Sequence, residues 1–558
     1  MRPVEGRPAR RPPASRGKAV MPANFLSQPL PFQKRPLKEP PVTALREHLE
    51  ATGGEIESWL AELALHHSVP ARTPDMVRLL EDAFGKSADV KFRQLRLGRR
   101  VEVLVVALDG MAGDALLNDF VLRPLLERAP TTSPATLARW LDGPGLPEGT
   151  VRPVHDMGRV VESVLDGYAL LHVDGLARAW VVEVREFEHR SINDPATEGT
   201  VGGPRESFIE VLRVNTAAIR RRVRSSLLRV DELTAGRISR TRVAVLHITG
   251  RADPGTVAEV RRRLAAAPWD MVFSEQQVEA LLEDRSLSFF PQVRTTERPD
   301  VCAAALSEGR VVVLVDGTPF AVIVPLQFWD LLQSPDDYYL RWPFATTLRL
   351  LRLGAVLLMT LGLPFYVAIS TYNQELIPRE FLFSLAASRE GLPLPTVVEA
   401  LGLALFFDLI REASTRLPRQ IGGALTIVGG LVIGDTAVRA GLVTAPTLII
   451  IGASAVGAFV VPAFTTAIPF RIMNYVLLIA AATLGLFGLA MASLVLVAHM
   501  ASLRSLGVPY LAPIAPMRPR GQEDVLIRAP WLIQKGQPPL IGTDQKGGAR
   551  APASGRRP

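Results

Sequence analysis

Hydrophobic residues are distributed differently on the two sides of residue 353 in this 558-residue chain. Before that point apolar residues are interspersed with charged ones. After it come three stretches without a charge, of 22, 31 and 27 residues: Leu353–Gln374, Ala440–Phe470 and Ile472–Ala498. A bilayer core about 30 Å thick needs about 20 apolar residues of helix, and a soluble helix rarely stays uncharged for so long. The pattern therefore predicts membrane-spanning helices.

A further apolar segment, residues 396–414, differs because it contains Glu399, Asp408, Arg411 and Glu412. Ionisable groups are costly in lipid, so we expect them to face a bundle interior, a partner or water. The alternative is a helix that lies flat at the interface with its acids in water.

The next predicted helix, Ile421–Val438, has a face of small residues and an acid near its end, Asp435. Gly430 and Gly434 lie four residues apart on that face, a spacing that allows close helix packing. The sequence therefore favours assembly, and a homo-oligomer is expected.

The part before the apolar helices contains one pattern twice. A buried strand leads to Asp109-Gly110 and a later hairpin turns at Asp174-Gly175; a second strand leads to Thr249-Gly250 and a hairpin turns at Asp316-Gly317. Asp-Gly suits a tight hairpin turn. The offsets are nearly constant, 140 residues for Gly110 and 142 for the hairpin. Chance similarity is the alternative, but the pattern favours duplicated α/β subdomains.

These patterns predict the fold class: an α+β membrane protein with duplicated cytoplasmic α/β subdomains followed by an α-helical transmembrane bundle. The predicted segments are a disordered basic Pro-rich tail (1–40), the first subdomain (41–200), the second (201–345), the transmembrane helical domain (346–503) and a largely disordered tail (504–558).

Charge and composition exclude several kinds of site. The net charge of +8 at pH 7 resides in the two tails, which could attract lipid headgroups or nucleic acid; solvated ends are the simpler interpretation, and no nucleic-acid partner is predicted. The single cysteine, Cys302, allows no internal disulfide. Catalytic motifs and metal-ligand spacings are absent, so we expect no enzyme, cofactor or metal. No apolar segment of a signal peptide follows the N-terminal arginines, which places the subdomains in the cytoplasm.

The number of spans stays open at this stage. Counting residues 396–414 gives five spans and puts the tail after Leu503 outside, whereas omitting them gives four and a cytoplasmic tail. The positive-inside rule supports five from Arg411 and Arg416, and four from Arg504 and the arginines after it. Four spans plus one partial or interfacial helix is the favoured interpretation.

Several motifs in order resemble the A subunits of GerA-type spore germination receptors. They are Pro204-Arg-Glu-Ser-Phe with Arg213 and Asn215, Phe290-Pro-Gln-Val-Arg-Thr-Thr-Glu-Arg-Pro-Asp300, Val315-Asp-Gly-Thr-Pro-Phe, Ser334-Pro-Asp-Asp-Tyr-Tyr, Ala387-Ser-Arg-Glu-Gly-Leu-Pro-Leu-Pro395, Arg416-Leu-Pro-Arg-Gln-Ile-Gly422 and Ser502-Leu-Arg-Ser-Leu-Gly-Val-Pro-Tyr-Leu-Ala-Pro513. The chain departs from the family pattern at Arg205 and in its long basic tails.

The resemblance implies a multi-pass protein of the spore inner membrane that works with a permease-like B subunit and a lipoprotein C subunit. It also implies oligomerisation into a germinant-gated ion channel. A related accessory subunit of the dipicolinic acid channel and a secondary transporter are the alternatives, although a transporter predicts an inverted repeat within the membrane part.

The candidate pore or interface residues are Asp408, Glu412, Glu399 and Asp435, and helix geometry orders the three on residues 396–414. Asp408 and Glu412 share a face at i and i+4, whereas Glu399 lies nine residues before Asp408 and faces the opposite side. We therefore expect Asp408 with Glu412 to face a cation path, and Glu399 to meet a neighbouring helix or subunit. The rival hypothesis is that Asp408 pairs with Arg411 or Arg416 and only holds the helix.

Overall fold

The computed structural model describes residues 61–98, 101–130, 133–143, 145–146, 151–186, 195, 197–416, 434–462, 464–518, 521–530 and 541. The chain divides into two compact units, Met1–Thr52 and Gly53–Pro558, and every described residue belongs to the second. The predicted basic tail therefore lies outside the described residues, as does most of the helix predicted at 421–438.

The first α/β unit is an antiparallel five-stranded sheet with helices on both faces. Its strands are β1 (Val90–Leu97), β2 (Val101–Leu108), β3 (Val151–Val154), β4 (Tyr168–Val173) and β5 (Ala179–Glu183). Its helices are α1 (Thr73–Phe84), α2 (Asp114–Leu116), α3 (Arg123–Glu127), α4 (Pro134–Asp142) and α5 (Met157–Leu165), and a π-helical segment, Leu117–Leu122, joins α2 to α3. Strand β2 is apolar on both faces because each face of the sheet is covered by its own hydrophobic cluster.

The second α/β unit has the same design. Its strands are β6 (Leu228–Ala235), β7 (Thr241–Ile248), β8 (Arg294–Thr296), β9 (Val311–Val315) and β10 (Ala321–Val324). Its helices are α6 (Leu212–Arg222), α7 (Pro254–Ala265), α8 (Glu275–Leu282) and α9 (Pro299–Ser307). The strand order, β6-β7-β9-β10-β8, repeats the order β1-β2-β4-β5-β3 of the first sheet.

The two predicted Asp-Gly hairpins occupy equivalent places in the two sheets. One joins β4 to β5 and the other joins β9 to β10. Gly175 and Gly317 both have φ +91°, in the region that only glycine adopts freely. The prediction of equivalent hairpin turns is confirmed.

A bundle of apolar helices follows the second sheet. The helices are α10 (Asp336–Tyr339), α11 (Trp342–Thr371), α12 (Arg379–Arg389), α13 (Thr396–Arg416), α14 (Gly434–Arg439), α15 (Ala445–Val460) and α16 (Phe464–Ser502), with 3-10 turns at Phe328–Leu332 and Gln374–Leu376. Helix α11 leads away from the sheets. Helix α15 runs back along it, because Thr447 contacts Tyr366 near the far end whereas Gly457 lies against Ala355 near the sheet end.

Helix α16 reverses its direction at Gly485. This glycine has φ +62° and ψ −143°, which is not a helical conformation. The rings of Phe470 and His499 both lie on Phe290, at centroid distances of 5.6 and 6.2 Å. In one straight helix these two residues would be about 43 Å apart. The helix is therefore a hairpin of two antiparallel arms, residues 464–484 and 486–502.

The structure corrects two of the predicted apolar runs. Residues 440–470 do not form one helix, because α15 ends at Val460 and α16 starts at Phe464. The run Ile472–Ala498 contains the turn at Gly485 in its middle. Neither Pro462 nor Gly485 interrupts the hydropathy of the sequence, so a pattern of charges cannot detect the breaks. The first run, Leu353–Gln374, does coincide with most of α11.

A buried ionic network, which we call the junction network (Asp337, Tyr338, Arg349, Arg352, Asp524 and Arg528), lies at the start of the bundle. The fully buried Asp337 carboxylate accepts hydrogen bonds from Arg349 Nε (3.0 Å) and Arg352 Nη1 (2.7 Å). Arg349 also pairs with Asp524 at 2.8 Å. Tyr338 Oη donates to the Asp524 carboxylate at 2.7 Å. Burial and this negative charge raise the pKa of Tyr338. The network thus ties α10, α11 and the chain beyond residue 520 together.

The chain after Leu503 packs against the second sheet unit. It begins with a short hairpin, β11 (Arg504–Ser505) and β12 (Val508–Pro509). Ser505 Oγ accepts from Leu326 N (2.9 Å), and Tyr510 O accepts from Phe328 N (2.8 Å). Residues 504–518 and 521–530 thus depart from the predicted disorder, because they form hydrogen bonds to the chain after β10 at Ser505 and Tyr510 and to the junction network at Asp524. They lie on the sheet side of the bundle, as the four-span interpretation expects.

The reversal at Gly485 predicts opposite effects for two Gly→Ala changes. Gly485→Ala should lower stability by more than about 1 kcal/mol, because its φ and ψ disfavour a side chain and a Cβ would lie 2.8 Å from Tyr372 Cβ. Gly354→Ala, in the middle of α11 with open space around it, should raise stability by about 0.5–1 kcal/mol. Thermal unfolding of the detergent-purified chain measures both. Equal effects of the two changes would contradict the reversal.

The junction network predicts a large penalty for Asp337→Asn. Two buried guanidinium groups would lose their shared anion, and removing one partner of a buried ion pair costs about 3–5 kcal/mol. Asp435→Asn is the matched control, because Asp435 pairs with Arg439 at 2.8 Å but is 57% exposed. Exposed pairs contribute less than about 1 kcal/mol. Thermal unfolding midpoints that fall by the same amount in both variants would contradict a structural role of the network.

Candidate functional site in the helical bundle

A polar cluster lies inside the bundle where α13 meets the first arm of α16. Both Asp408 carboxylate oxygens are occupied: Oδ1 accepts from Arg471 Nη2, and Oδ2 accepts from Tyr475 Oη at 2.7 Å. Arg471 and Tyr475 are four residues apart and so share one helix face. The Asp408 and Arg471 side chains are only 28% and 21% exposed. The negative charge of Asp408 is therefore compensated within the chain.

The same arm also replaces a backbone hydrogen bond that is missing in α11. Pro364 lies within that helix and has no N–H to donate to Thr360 O. Asn474 Nδ2 donates to Thr360 O (3.1 Å) and to Met359 O (2.9 Å) instead. Asn474 is buried, and its amide therefore supplies hydrogen bonds to backbone that the proline leaves without a helical donor.

A small cavity of about 60 Å³ lies beside this cluster. Arg411 lines it one turn after Asp408, and its guanidinium lies 5.1 Å from the centroid of the Phe459 ring. Arg471 Nε also belongs to the lining, and among the described residues it has no hydrogen-bond partner. The volume suits one or two water molecules. The cavity therefore offers a polar space beside Asp408 within apolar helices.

Glu399 occupies a separate site, near the start of α15. It is 3% exposed, and its Oε1 accepts from Thr444 N (2.5 Å) and Thr444 Oγ1 (2.8 Å). Thr444 is the N-cap of α15 and accepts from Thr447 N. The carboxylate thus lies where the positive end of the helix dipole favours an anion. Glu399 meets a neighbouring helix, as helix geometry predicts.

A family model described as Bacillus/Clostridium GerA spore germination protein matches residues 78–540. The chain belongs to this family. The matched region includes both sheet units, the described bundle helices and the segment that returns to the second sheet. The resemblance seen in the sequence motifs is confirmed.

Several proteins are similar to this chain over most of its length and most of their own. Spore germination protein KA of Bacillus subtilis (strain 168) is 36% identical over 464 residues, 83% of this chain and 85% of that protein. Spore germination protein GerLA of Bacillus cereus is 35% identical over 476 residues, 84% of this chain and 95% of that protein. A third relative, the uncharacterized membrane protein YfkQ of Bacillus subtilis (strain 168), is 36% identical over 83% of this chain and 90% of its own length.

One solved structure is similar to part of this GerA-family chain. It is the crystal structure of the N-terminal domain of the A subunit of the Bacillus megaterium spore germinant receptor GerK3. The two share 26% sequence identity, and the match covers 47% of this chain and 98% of that one with a TM-score of 0.36.

The other predicted site residues fall in different places of the GerA-family fold. Glu412 is exposed on α13, one turn beyond Asp408. Asp435 is exposed on α14 and paired with Arg439. Gly430 lies outside the described residues, and Gly434 is the first residue of α14, so the packing prediction for this pair stays a prediction.

The partners of Asp408 differ from the predicted ones. The rival hypothesis pairs Asp408 with Arg411 or Arg416, whereas the structure pairs it with Arg471; the Arg416 side chain lies outside the described residues. In the sequence, Arg471 stands between two uncharged runs, 63 residues after Asp408. The spacing Arg471-x-x-x-Tyr475 was the available signal, because it places two donors on one helical face.

Proposed function

We propose that this chain is a membrane subunit of a nutrient-germinant receptor complex that triggers spore germination. The observation that carries the proposal is the GerA-family match over residues 78–540, together with relatives that are spore germination proteins by name. The role that we propose is not enzymatic. Its partners are a permease-like B subunit, a lipoprotein C subunit and further copies of this chain.

The proposed location is the spore inner membrane, with both sheet units in the cytoplasm. Two described helices, Trp342–Thr371 and Thr466–Ser502, are long and apolar enough to cross a membrane. The reversal at Gly485 turns the second into two arms of about 30 and 25 Å, each near the thickness of a bilayer core. The chain enters the bundle from the second sheet and returns to it after Leu503, which supports an even number of crossings.

We further propose that Asp408 belongs to a cation path formed when copies of the chain assemble. Acidic groups along a pore select cations by attraction, but Asp408 is bound to Arg471 and Tyr475 in the described conformation. A compensated carboxylate attracts a cation weakly. The described arrangement thus corresponds to a closed path, and conduction requires Asp408 to separate from Arg471.

Removal of the acid tests this path. Spores with Asp408→Asn should release monovalent cations on germinant addition about tenfold more slowly, which corresponds to about 1.4 kcal/mol of lost attraction. Cation efflux and the amount of the subunit in the membrane are measured together. Asp435→Asn, an exposed acid paired within its own helix, is the control. Normal efflux in both Asp408→Asn and Glu412→Gln would reject a pore role for these acids.

Removal of the positive charge of Arg471 should have the opposite effect. Arg471→Gln removes the positive charge that compensates Asp408 while keeping an unbranched polar side chain, so cation release without germinant should rise above that of the unmodified chain. Arg439→Gln is the control, because Arg439 is 80% exposed and pairs only with its helical neighbour Asp435 among the described contacts. Unchanged spontaneous release, with a normal amount of Arg471→Gln protein in the membrane, would exclude Arg471 as the group that holds the path closed.

A further inference from the structure

The loop that follows α8 presents two apolar side chains to the outside. Leu287 is 97% exposed and Phe289 is 58% exposed. A single exposed apolar residue needs no explanation. Two on one short loop form an apolar patch, and the groups around such a patch indicate what it contacts.

This loop has a fixed conformation. The buried Gln292 side chain accepts from the backbone N–H groups of Asp284 (3.1 Å) and Arg285 (3.0 Å) and donates to Arg285 O (2.7 Å). Ser288 N donates to the same carbonyl at 3.1 Å. Because these hydrogen bonds hold the backbone, Leu287 and Phe289 point outward as part of a defined turn.

The loop is also attached to the end of the bundle. Ser288 Oγ lies 3.1 Å from His499 Nε2, and Arg285 Nη1 donates to Ser502 Oγ at 3.1 Å. Phe290 is buried between the rings of Phe470 and His499. The two exposed residues therefore flank a contact with the last turn of α16.

The neighbouring surface of that helix is apolar. Leu494, Val495 and Val497 are 61%, 65% and 55% exposed, and Val497 precedes His499 by only about 3 Å of helix rise. Arg285 and the exposed Arg504 lie at the same end. In a bilayer, apolar side chains along a spanning helix face the hydrocarbon, and cations at the end of the helix face the headgroups. The exposed side chains at this end of α16 follow the same order.

We propose that Leu287 and Phe289 insert into the lipid surface that surrounds the bundle and anchor the second sheet unit to it. The proposal rests on the membrane location given under Proposed function. Insertion is confined to the interface, because irregular backbone is not tolerated within the hydrocarbon. Removing each apolar side chain from water favours this position, and the outward orientation of both side chains requires no refolding of the loop.

Lipid quenching of a site-specific fluorophore tests the proposal in the full chain. The one native cysteine, Cys302, is fully buried and leaves an introduced cysteine as the reactive one. Leu287→Cys, Val495→Cys and Leu126→Cys are each labelled with a polarity-sensitive dye and reconstituted into phosphatidylethanolamine–phosphatidylglycerol vesicles. Spin-labelled lipids then quench any dye that contacts lipid. Leu126 is 61% exposed but lies on the first sheet unit.

Dyes at Leu287→Cys and Val495→Cys should both emit at shorter wavelength and lose intensity with spin-labelled lipid, while the dye at Leu126→Cys should do neither. For Leu287→Cys, a quencher at the headgroup should act more strongly than one deep in the acyl chain. Quenching at Val495→Cys alone would overturn the loop proposal and leave the membrane location intact. This holds both for a dye at residue 287 that emits as in water and for one that emits at shorter wavelength because it contacts protein. Absence of quenching at Val495→Cys would overturn the membrane location and this proposal together.

Discussion

The Asp337 carboxylate determines how α10 and the start of α11 are arranged at the base of the bundle. It is fully buried and binds two arginines that lie three residues apart on α11, Arg349 and Arg352. A charge in that position is tolerated only with its partners in place. Since Arg349 also binds the returning C-terminal segment at Asp524, the start of the first long helix and that segment have fixed positions beside α10.

Polar groups inside the bundle then serve two different purposes. Glu399 and Asn474 bind backbone groups that a helix start or a proline leaves unsatisfied, and such pairings stabilise helices in an environment without water. Asp408 and Arg471 satisfy no backbone defect and lie beside a cavity. Asp408 and Arg471 thus differ from Glu399 and Asn474, because they bind each other across two helices instead of completing the backbone hydrogen bonds of one.

The sequence predicted the repeated sheets well because strand patterns and Asp-Gly turns are local signals. The hairpins at Gly175 and Gly317 depend on residues within a few positions of the turn. It predicted the bundle less well because Gly485 carries no charge, and the reversal depends on a backbone conformation that hydropathy does not record. The partner of Asp408 was missed because Arg471 comes from a different helix 63 residues later, where only the tertiary fold brings the two together.

Arg471 lies next to a contact between the bundle and the second sheet unit. The preceding residue, Phe470, packs on Phe290, in the loop before β8, and on Phe328, in the 3-10 turn after β10, at ring-centroid distances of 5.6 and 6.1 Å. Successive residues of a helix are rigidly connected, so this aromatic contact helps to fix where the Arg471 backbone lies. The position of the Asp408–Arg471 pair therefore depends on the loop before β8 as well as on the neighbouring bundle helices.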